Sequence, residues 1–295
     1  MSALAAAVFP PGLFTASFMI HAWIAGTAVA VMSGLVGVFV NLRGGTFAAH
    51  AIPRAAFTGA AAAFLVGVSS VLGMAACALG MALSLGALER RDRGGSPGVL
   101  TALLLIAILS LGDLLLTVGN AYAPEVYALL FGQVVGISAA QTIQIAILAA
   151  LLALLVGVLF RPLLYYTVSP ETALARGVPE GAMRLGFMAM VAGAAALTVP
   201  VVGALLSFAL LVGPAAAARR IARRPGRMVA WSMGLGTLTV WLSILIAYDT
   251  VLPSGFVVTA IAAILYVLAV LYDRLGRKDP RAAAEARKPA ALGAQ

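Results

Sequence analysis

Long uncharged stretches alternate with short basic ones along the whole chain, the pattern of helices that cross a bilayer. Phe18 to Val40 is long and apolar enough for a first span and ends at the polar break Asn41 to Gly45. Within it Ala22, Gly26, Ala30 and Gly34 fall four apart, on one helical face, where small residues let a neighbouring helix approach closely. Ala55 to Leu88 carries no charge. One helix there would rise about 51 Å against about 30 Å of hydrocarbon, so the stretch predicts a hairpin of two spans turning near Val68 to Leu72. Arg54 precedes it and Arg90, Arg91 and Arg93 follow, so a hairpin keeps both basic ends on one side.

Pro97 to Val118 is a fourth span and contains Asp113. A loop from Gly119 to Gly136 follows, with Asn120, Glu125 and a short re-entrant piece around Leu129 to Gly132. Ala139 to Phe160 is the fifth span, and Arg161 to Arg184, with Glu171, Arg176 and Glu180, is too polar for the membrane. Leu185 to Ala218 is again uncharged and predicts a second hairpin, breaking around Pro200. Val229 to Tyr248, a turn at Asp249 to Gly255, and Phe256 to Tyr272 complete the set.

The expected fold is therefore an all-α polytopic helix bundle of about nine spans, or eight if one short hairpin is miscounted. Residues 1–272 form the transmembrane domain, and 273–295, rich in Ala, Pro and charge, read as a disordered cytoplasmic tail. With the N-terminus outside and the C-terminus cytoplasmic, all 19 lysines and arginines fall on the cytoplasmic side or at its boundary.

Composition agrees: 63% of the 295 residues are hydrophobic, 10% are charged, and the mean hydropathy is +1.07. This places the protein in the cell membrane, plasma or inner, as a multi-pass protein. The net charge of +9 sits in short loops, where topology accounts for it and nucleic acid need not. Cys77 is the single cysteine, so one chain can form neither a disulfide nor a thiolate metal site. No segment reads as a separate signal peptide.

The chain lacks a Walker A loop, HExxH, CxxC and GxSxG, and ten acidic residues with two histidines offer little catalytic material. The sequence predicts no enzyme. Spans interrupted by Gly and Pro are instead what a transport pathway needs, and Phe131-Gly132, Thr198 to Pro200 and Gly213-Pro214 are the expected breaks. Asp113 lies inside a span and needs a polar cavity or a partner group, which makes it a pathway candidate and a weak metal candidate. His50 is the other weak metal candidate; His21 lies near the opposite membrane face and cannot share its ion.

Arg219, Arg220, Arg223, Arg224 and Arg227 form a cluster denser than topology requires. Pro214 is expected to end the preceding span, with Ala215 to Ala222 as a short helix along the membrane surface. Its arginines could pair with acidic lipid head groups or with an acidic cleft on another protein.

Four stretches carry a resemblance: SPETALARGVP (Ser169 to Pro179), GALLSFALLVGPAAAARRIARRP (Gly203 to Pro225), LLFGQVVGIS (Leu129 to Ser138) and LPSGFVV (Leu252 to Val258). In this order and spacing, from about Phe18 to Tyr272, the chain resembles the permease subunits of the zinc, manganese and iron type ABC importer family. The resemblance implies a permease dimer, two cytoplasmic ATPase subunits that use the ATP, and an extracytoplasmic solute-binding protein. No cofactor is implied on the permease itself. It also implies a coupling element, here Ala215 to Arg224 after Pro214, with Glu171 and its neighbours packed beside it.

The chain departs from the family at FAAHAIPRAA (Phe47 to Ala56), where members carry "GDALSHA". His50 falls near the family's aspartate, Arg54 takes its histidine position, and Gln133 replaces the aspartate of "LFGD". An arginine cannot ligate a cation and repels one. A divalent metal is thus the expected cargo, carried past His50, Arg54, Asp113, Gln133 and Pro200. A chelated-metal or non-metal cargo is the alternative, and a secondary transporter or membrane scaffold is more distant.

Overall fold

The computed structural model describes residues 16–91, 97–119, 128–250 and 252–276. It is all helical, with helices α1 (Ser17–Arg43), α2 (Thr46–Val66), α3 (Ser70–Arg91), α4 (Pro97–Val118), α5 (Ala139–Val168), α6 (Pro170–Ala175), α7 (Glu180–Val202), α8 (Ser207–Ile221), α9 (Pro225–Asp249) and α10 (Ser254–Gly276). Seven of these, α1, α2, α3, α5, α7, α9 and α10, are long and apolar enough to cross a membrane. α4 is 22 residues long and uncharged except for Asp113. Asn120, Glu125 and Arg93 lie outside the described residues, as do 277–295.

The ends that carry arginine gather together: α1 closes on Arg43, α8 on Arg219 and Arg220, and α10 on Arg274. We call this the basic end. The first hairpin turns at Gly67, whose φ of 72° and N–H to the Ala63 carbonyl form a left-handed cap. This is one residue before the expected turn. α5 starts at Ser138, whose side chain accepts from the Gln141 N–H while Gln141 reaches back to the Ser138 N–H.

The small-residue face of α1 packs on α9, as the spacing predicts. A Cβ added at Gly34 would lie 2.8 Å from the Ser232 carbonyl oxygen, and one at Gly26 would lie 2.9 Å from Val240. Ser232 donates to the Gly34 carbonyl at 2.7 Å, one of the polar contacts such close approach permits. α7 is the central helix: 72% of its apolar stretch is enclosed, against 17% for α5, which faces outward. Ser33 and Thr198 join α1 to α7 by a buried hydroxyl pair at 3.1 Å.

Three expectations are corrected. The second hairpin does not break at Pro200, which lies inside α7, but at Gly203. A proline removes its own N–H and crowds the carbonyl four residues back, yet the chain can stay helical after it. The sharp reversal needs φ of 89°, which only glycine adopts cheaply. Nor does Pro214 end its helix: α8 runs unbroken through it, with Pro214, Ala215, Ala217 and Ala218 buried, so 215–222 is not a separate surface helix. Neighbouring helices make such prolines tolerable inside a membrane bundle. Finally, α10 continues past Tyr272 to Gly276, so Asp273 belongs to the bundle and not to a tail.

Candidate functional site

At the end opposite the arginines, the hairpin of α7 and α8 stops short. Thr198 of α7 lies level with Ser33 of α1, and Val134 packs near Gly26, nine residues and about 14 Å in from the start of α1. The turn at 203–206 is thus recessed in the bundle, and the segment 128–136 dips in to cover it. α8 has 15 residues and rises about 22 Å, less than a bilayer core.

A recessed turn needs internal partners for its backbone, because hydrocarbon supplies none. Ala204 N–H donates to the Leu129 carbonyl at 3.0 Å and Leu205 N–H to Leu130 at 3.2 Å. Gln133 N–H donates in return to the Pro200 carbonyl at 3.4 Å. The start of α10 joins them: Ser254 accepts from the Val134 N–H at 3.4 Å, and its carbonyl accepts from Ser243 at 3.1 Å.

Three glycines make the meeting possible. Added Cβ atoms would lie 2.3 Å from the Val202 carbonyl carbon at Gly132, 2.3 Å from the Leu130 oxygen at Gly203, and 2.2 Å from the Phe131 oxygen at Gly255. These glycines belong to the three stretches LLFGQVVGIS, GALLSF and LPSGFVV, far apart in sequence and joined here backbone to backbone. Ser254 and Gly255 are legible in the sequence as a turn, and Gly203 as the start of a motif stretch, but none of the three is among the pathway candidates.

The pathway candidates do not form one cluster. Gln133 is exposed beside Pro200, at the recessed turn. His50 and Arg54 lie one turn apart on α2, where the helix begins at Thr46, so Arg54 is inside the helix and not in the loop before it. The His50 ring meets Phe208 of α8 edge-on, with centroids 5.3 Å apart, and Arg54 Nε is buried with no hydrogen-bond partner among the described residues. Asp113 faces away: Gly112 packs on Phe57 and Thr58 of α2, and Asp113, the next residue round, is exposed on the outside of α4. Among the described residues no three His, Cys, Asp or Glu side chains gather to hold a metal ion.

At the basic end, α5 extends for 30 residues, about 45 Å, so it outruns the bilayer core and carries α6 beyond it. α6 starts on Pro170 and is followed by Gly177 at φ 78°. Only Ala173 of the helix's side chains between 171 and 175 is buried; Glu171, Thr172, Leu174 and Ala175 are exposed. The detached surface helix is therefore α6, not 215–222. Arg43, at the end of α1, stacks on Tyr166 and Phe187 (5.1 and 4.5 Å) and ties α5 to α7 just above it. Arg219, Arg220, Arg223, Arg224 and Arg227 are all exposed around the bend between α8 and α9.

A polytopic bundle with a recessed, glycine-jointed hairpin at one end and a detached helix at the other is the architecture of a membrane permease. The chain belongs to the ABC 3 transport family, whose profile matches residues 15–273. It is thus the membrane-embedded permease component of an ABC transporter and not an enzyme. It is 24% identical over 265 residues to the manganese transport system membrane protein MntC of Listeria monocytogenes, covering 90% of this chain and 94% of that one. It is 28% identical over 251 residues to the high-affinity zinc uptake system membrane protein ZnuB of Haemophilus influenzae, covering 84% and 95%. Among solved structures, PsaBC from Streptococcus pneumoniae in complex with Fab has the same fold, with TM-score 0.80, 24% identity, and 88% of this chain and 92% of that one aligned.

Proposed function

We propose that this chain is the permease of an ATP-driven importer for a divalent transition-metal ion. It works in the cell membrane with a second copy of itself, two cytoplasmic ATPase subunits and an extracytoplasmic solute-binding protein. Relatives that handle manganese and zinc, matched over nearly their full length, support the cargo class. The basic end is cytoplasmic in this reading, in keeping with the concentration of arginine there.

The observation that carries the mechanism is the recessed turn between α7 and α8, held by main-chain bonds to segment 128–136. It closes the bundle at the outer side and can open only by parting those three segments. α6, carried on the overhanging end of α5 and joined to α7 by a short link, is where the ATPase grips. Glu171 and Leu174 offer the exposed contacts, and Arg224 and Arg227 lie on the same end of the bundle. Closure of the ATPase pair moves α6, α5 and α7 together and so reaches the turn at Gly203.

Proteoliposomes holding the assembled complex test this. ATP in the lumen facing the ATPase should drive uptake of manganese or zinc, and none should occur without the binding protein. Uptake that follows a proton or sodium gradient and ignores ATP would refute it.

One observation favours a second cargo reading. Arg54 places a fixed cation within the span, its Nε unpartnered among the described residues, one turn from His50. A positive charge there repels a bare cation. A metal that travels as an anionic chelate would be attracted by it instead.

A further inference from the structure

The arginine-rich bend divides into two sets. Arg219, Arg220 and Arg223 turn toward the ends of α1 and α10 and, with Asn41, Tyr266 and Asp273, line a cavity of about 500 Å³. Arg224 and Arg227 do not line it. Sequence spacing puts all five on one bend and gives no hint of this partition.

Two of the three cavity arginines are held in place. Arg219 donates to the Asn41 carbonyl at 3.1 Å, and the Asn41 amide is itself anchored on the carbonyls of Gly37 at 3.0 Å and Val212 at 3.3 Å. Arg220 stands 3.5 Å from the Asp273 carboxylate, with Tyr266 on the same cavity wall; Tyr266 first, then Asp273, raise its pKa above the ordinary arginine value. Arg223 is exposed and makes no ion pair or side-chain hydrogen bond among the described residues. Among the described residues, three guanidinium groups therefore face one carboxylate around the cavity, and Arg223 is left to bind a ligand.

The cavity's surroundings choose among anions. Tyr266 lies well inside the end of α10, so the cavity reaches from the membrane boundary up to the level of the span. Further round the same helix Val267, Leu271 and Leu275 point outward, 54%, 48% and 69% exposed. A basic pocket at a span end, beside an uncovered apolar helix face, matches a ligand with a phosphate head and hydrocarbon tails. An acidic loop of a soluble partner would need the arginines but not the apolar flank.

We propose that this cavity binds the phosphate of an anionic phospholipid from the leaflet at the basic end, with the acyl chains laid along α10. The site is independent of the cargo. The shared chemistry is a phosphate ester, so free phosphate is the competing source.

The test uses the full chain, purified and exchanged into nanodiscs of phosphatidylcholine with graded phosphatidylglycerol, and read by native mass spectrometry and thermal melting. The wild type should retain a phosphatidylglycerol molecule through delipidation. Arg223→Gln, which leaves every described side-chain bond intact, should weaken retention about fivefold, and Arg219→Gln with Arg223→Gln about thirtyfold. Arg223→Lys should keep most of it. Arg224→Gln with Arg227→Gln removes the same charge outside the cavity and should leave retention unchanged.

Equal losses in the two double variants would overturn the site, because general surface charge would then suffice. Displacement of the lipid by millimolar inorganic phosphate, or equal stabilisation by it in pure phosphatidylcholine, would overturn the lipid assignment. Unchanged lipid retention in the Arg219/Arg223 variant, with the partner ATPase no longer captured, would make the cavity a protein-docking surface and refute the proposal.

Discussion

Replacing Gly255 by alanine puts one methyl group where three segments of main chain already touch. Its Cβ would stand 2.2 Å from the Phe131 oxygen, 2.5 Å from the Val202 oxygen and 2.8 Å from Leu206 Cδ1. Two of these are backbone atoms, so relief requires segment 128–136 or the end of α7 to retreat by about 1 Å. That motion lengthens the bonds between Ala204 and Leu129, Leu205 and Leu130, and Val134 and Ser254.

Crowding a packed site costs about 1–3 kcal/mol, and leaving one buried backbone group unsatisfied costs about as much again. The sum is about 2–6 kcal/mol, a fall of about 3–10 °C in melting temperature at an unfolding entropy of about 2.1 cal/mol/K per residue. Gly234→Ala is the control: its Cβ meets nothing within 4 Å, and inside a helix it should be neutral or stabilise by up to about 1 kcal/mol. Thermal unfolding of both variants in one detergent decides the matter. If Gly255→Ala melts with the wild type or with Gly234→Ala, the three segments are not held as described.

Other outcomes follow from the two ends and the span between them. Leu174→Asp with Glu171→Arg on α6, both exposed and outside the core, should leave melting within about 1 kcal/mol of wild type and abolish co-purification with the ATPase; intact co-purification would move the docking site elsewhere. Arg54→Gln should raise uptake of the bare metal ion relative to the same metal offered with an anionic chelator, if the guanidinium screens cargo by charge. An unchanged ratio between the two forms would remove Arg54 from cargo selection.

Much of the bundle was legible because hydrocarbon demands long uncharged runs and cytoplasmic loops collect arginine. The stripe of Ala22, Gly26, Ala30 and Gly34 was readable as a packing face and meets α9 as expected. The hairpin at Gly67 was placed to within a residue, because length alone forces a turn there. The prolines misled. Pro200 and Pro214 were read as breaks, yet both are helical, since tertiary contacts decide whether a membrane proline bends or ends a helix.

The site was legible only in pieces. Gln133 and Pro200 were both marked, and they do meet through a backbone bond. Asp113 was marked for being acidic inside a span, but which face of α4 it occupies depends on where α2 packs. The arginine bend was seen as one patch because spacing along a helix says nothing about Tyr266 and Asp273, which arrive from the far end of the chain. α6 was read as a neighbour of the coupling element. Its detachment follows from the overhang of α5 by several turns, a length that Arg161 and Pro162 disguised as a loop.

The account stands on one linkage: ATP used at the basic end opens the recessed turn at the other. A single cysteine at Gln133, in a chain whose Cys77 is changed to alanine, reports on that turn when an impermeant thiol reagent is applied to the outer side of proteoliposomes holding the whole complex. Labelling should change severalfold when ATP is supplied to the ATPase side, and the change should vanish in the α6 variant. Labelling that stays the same with and without ATP would contradict the account.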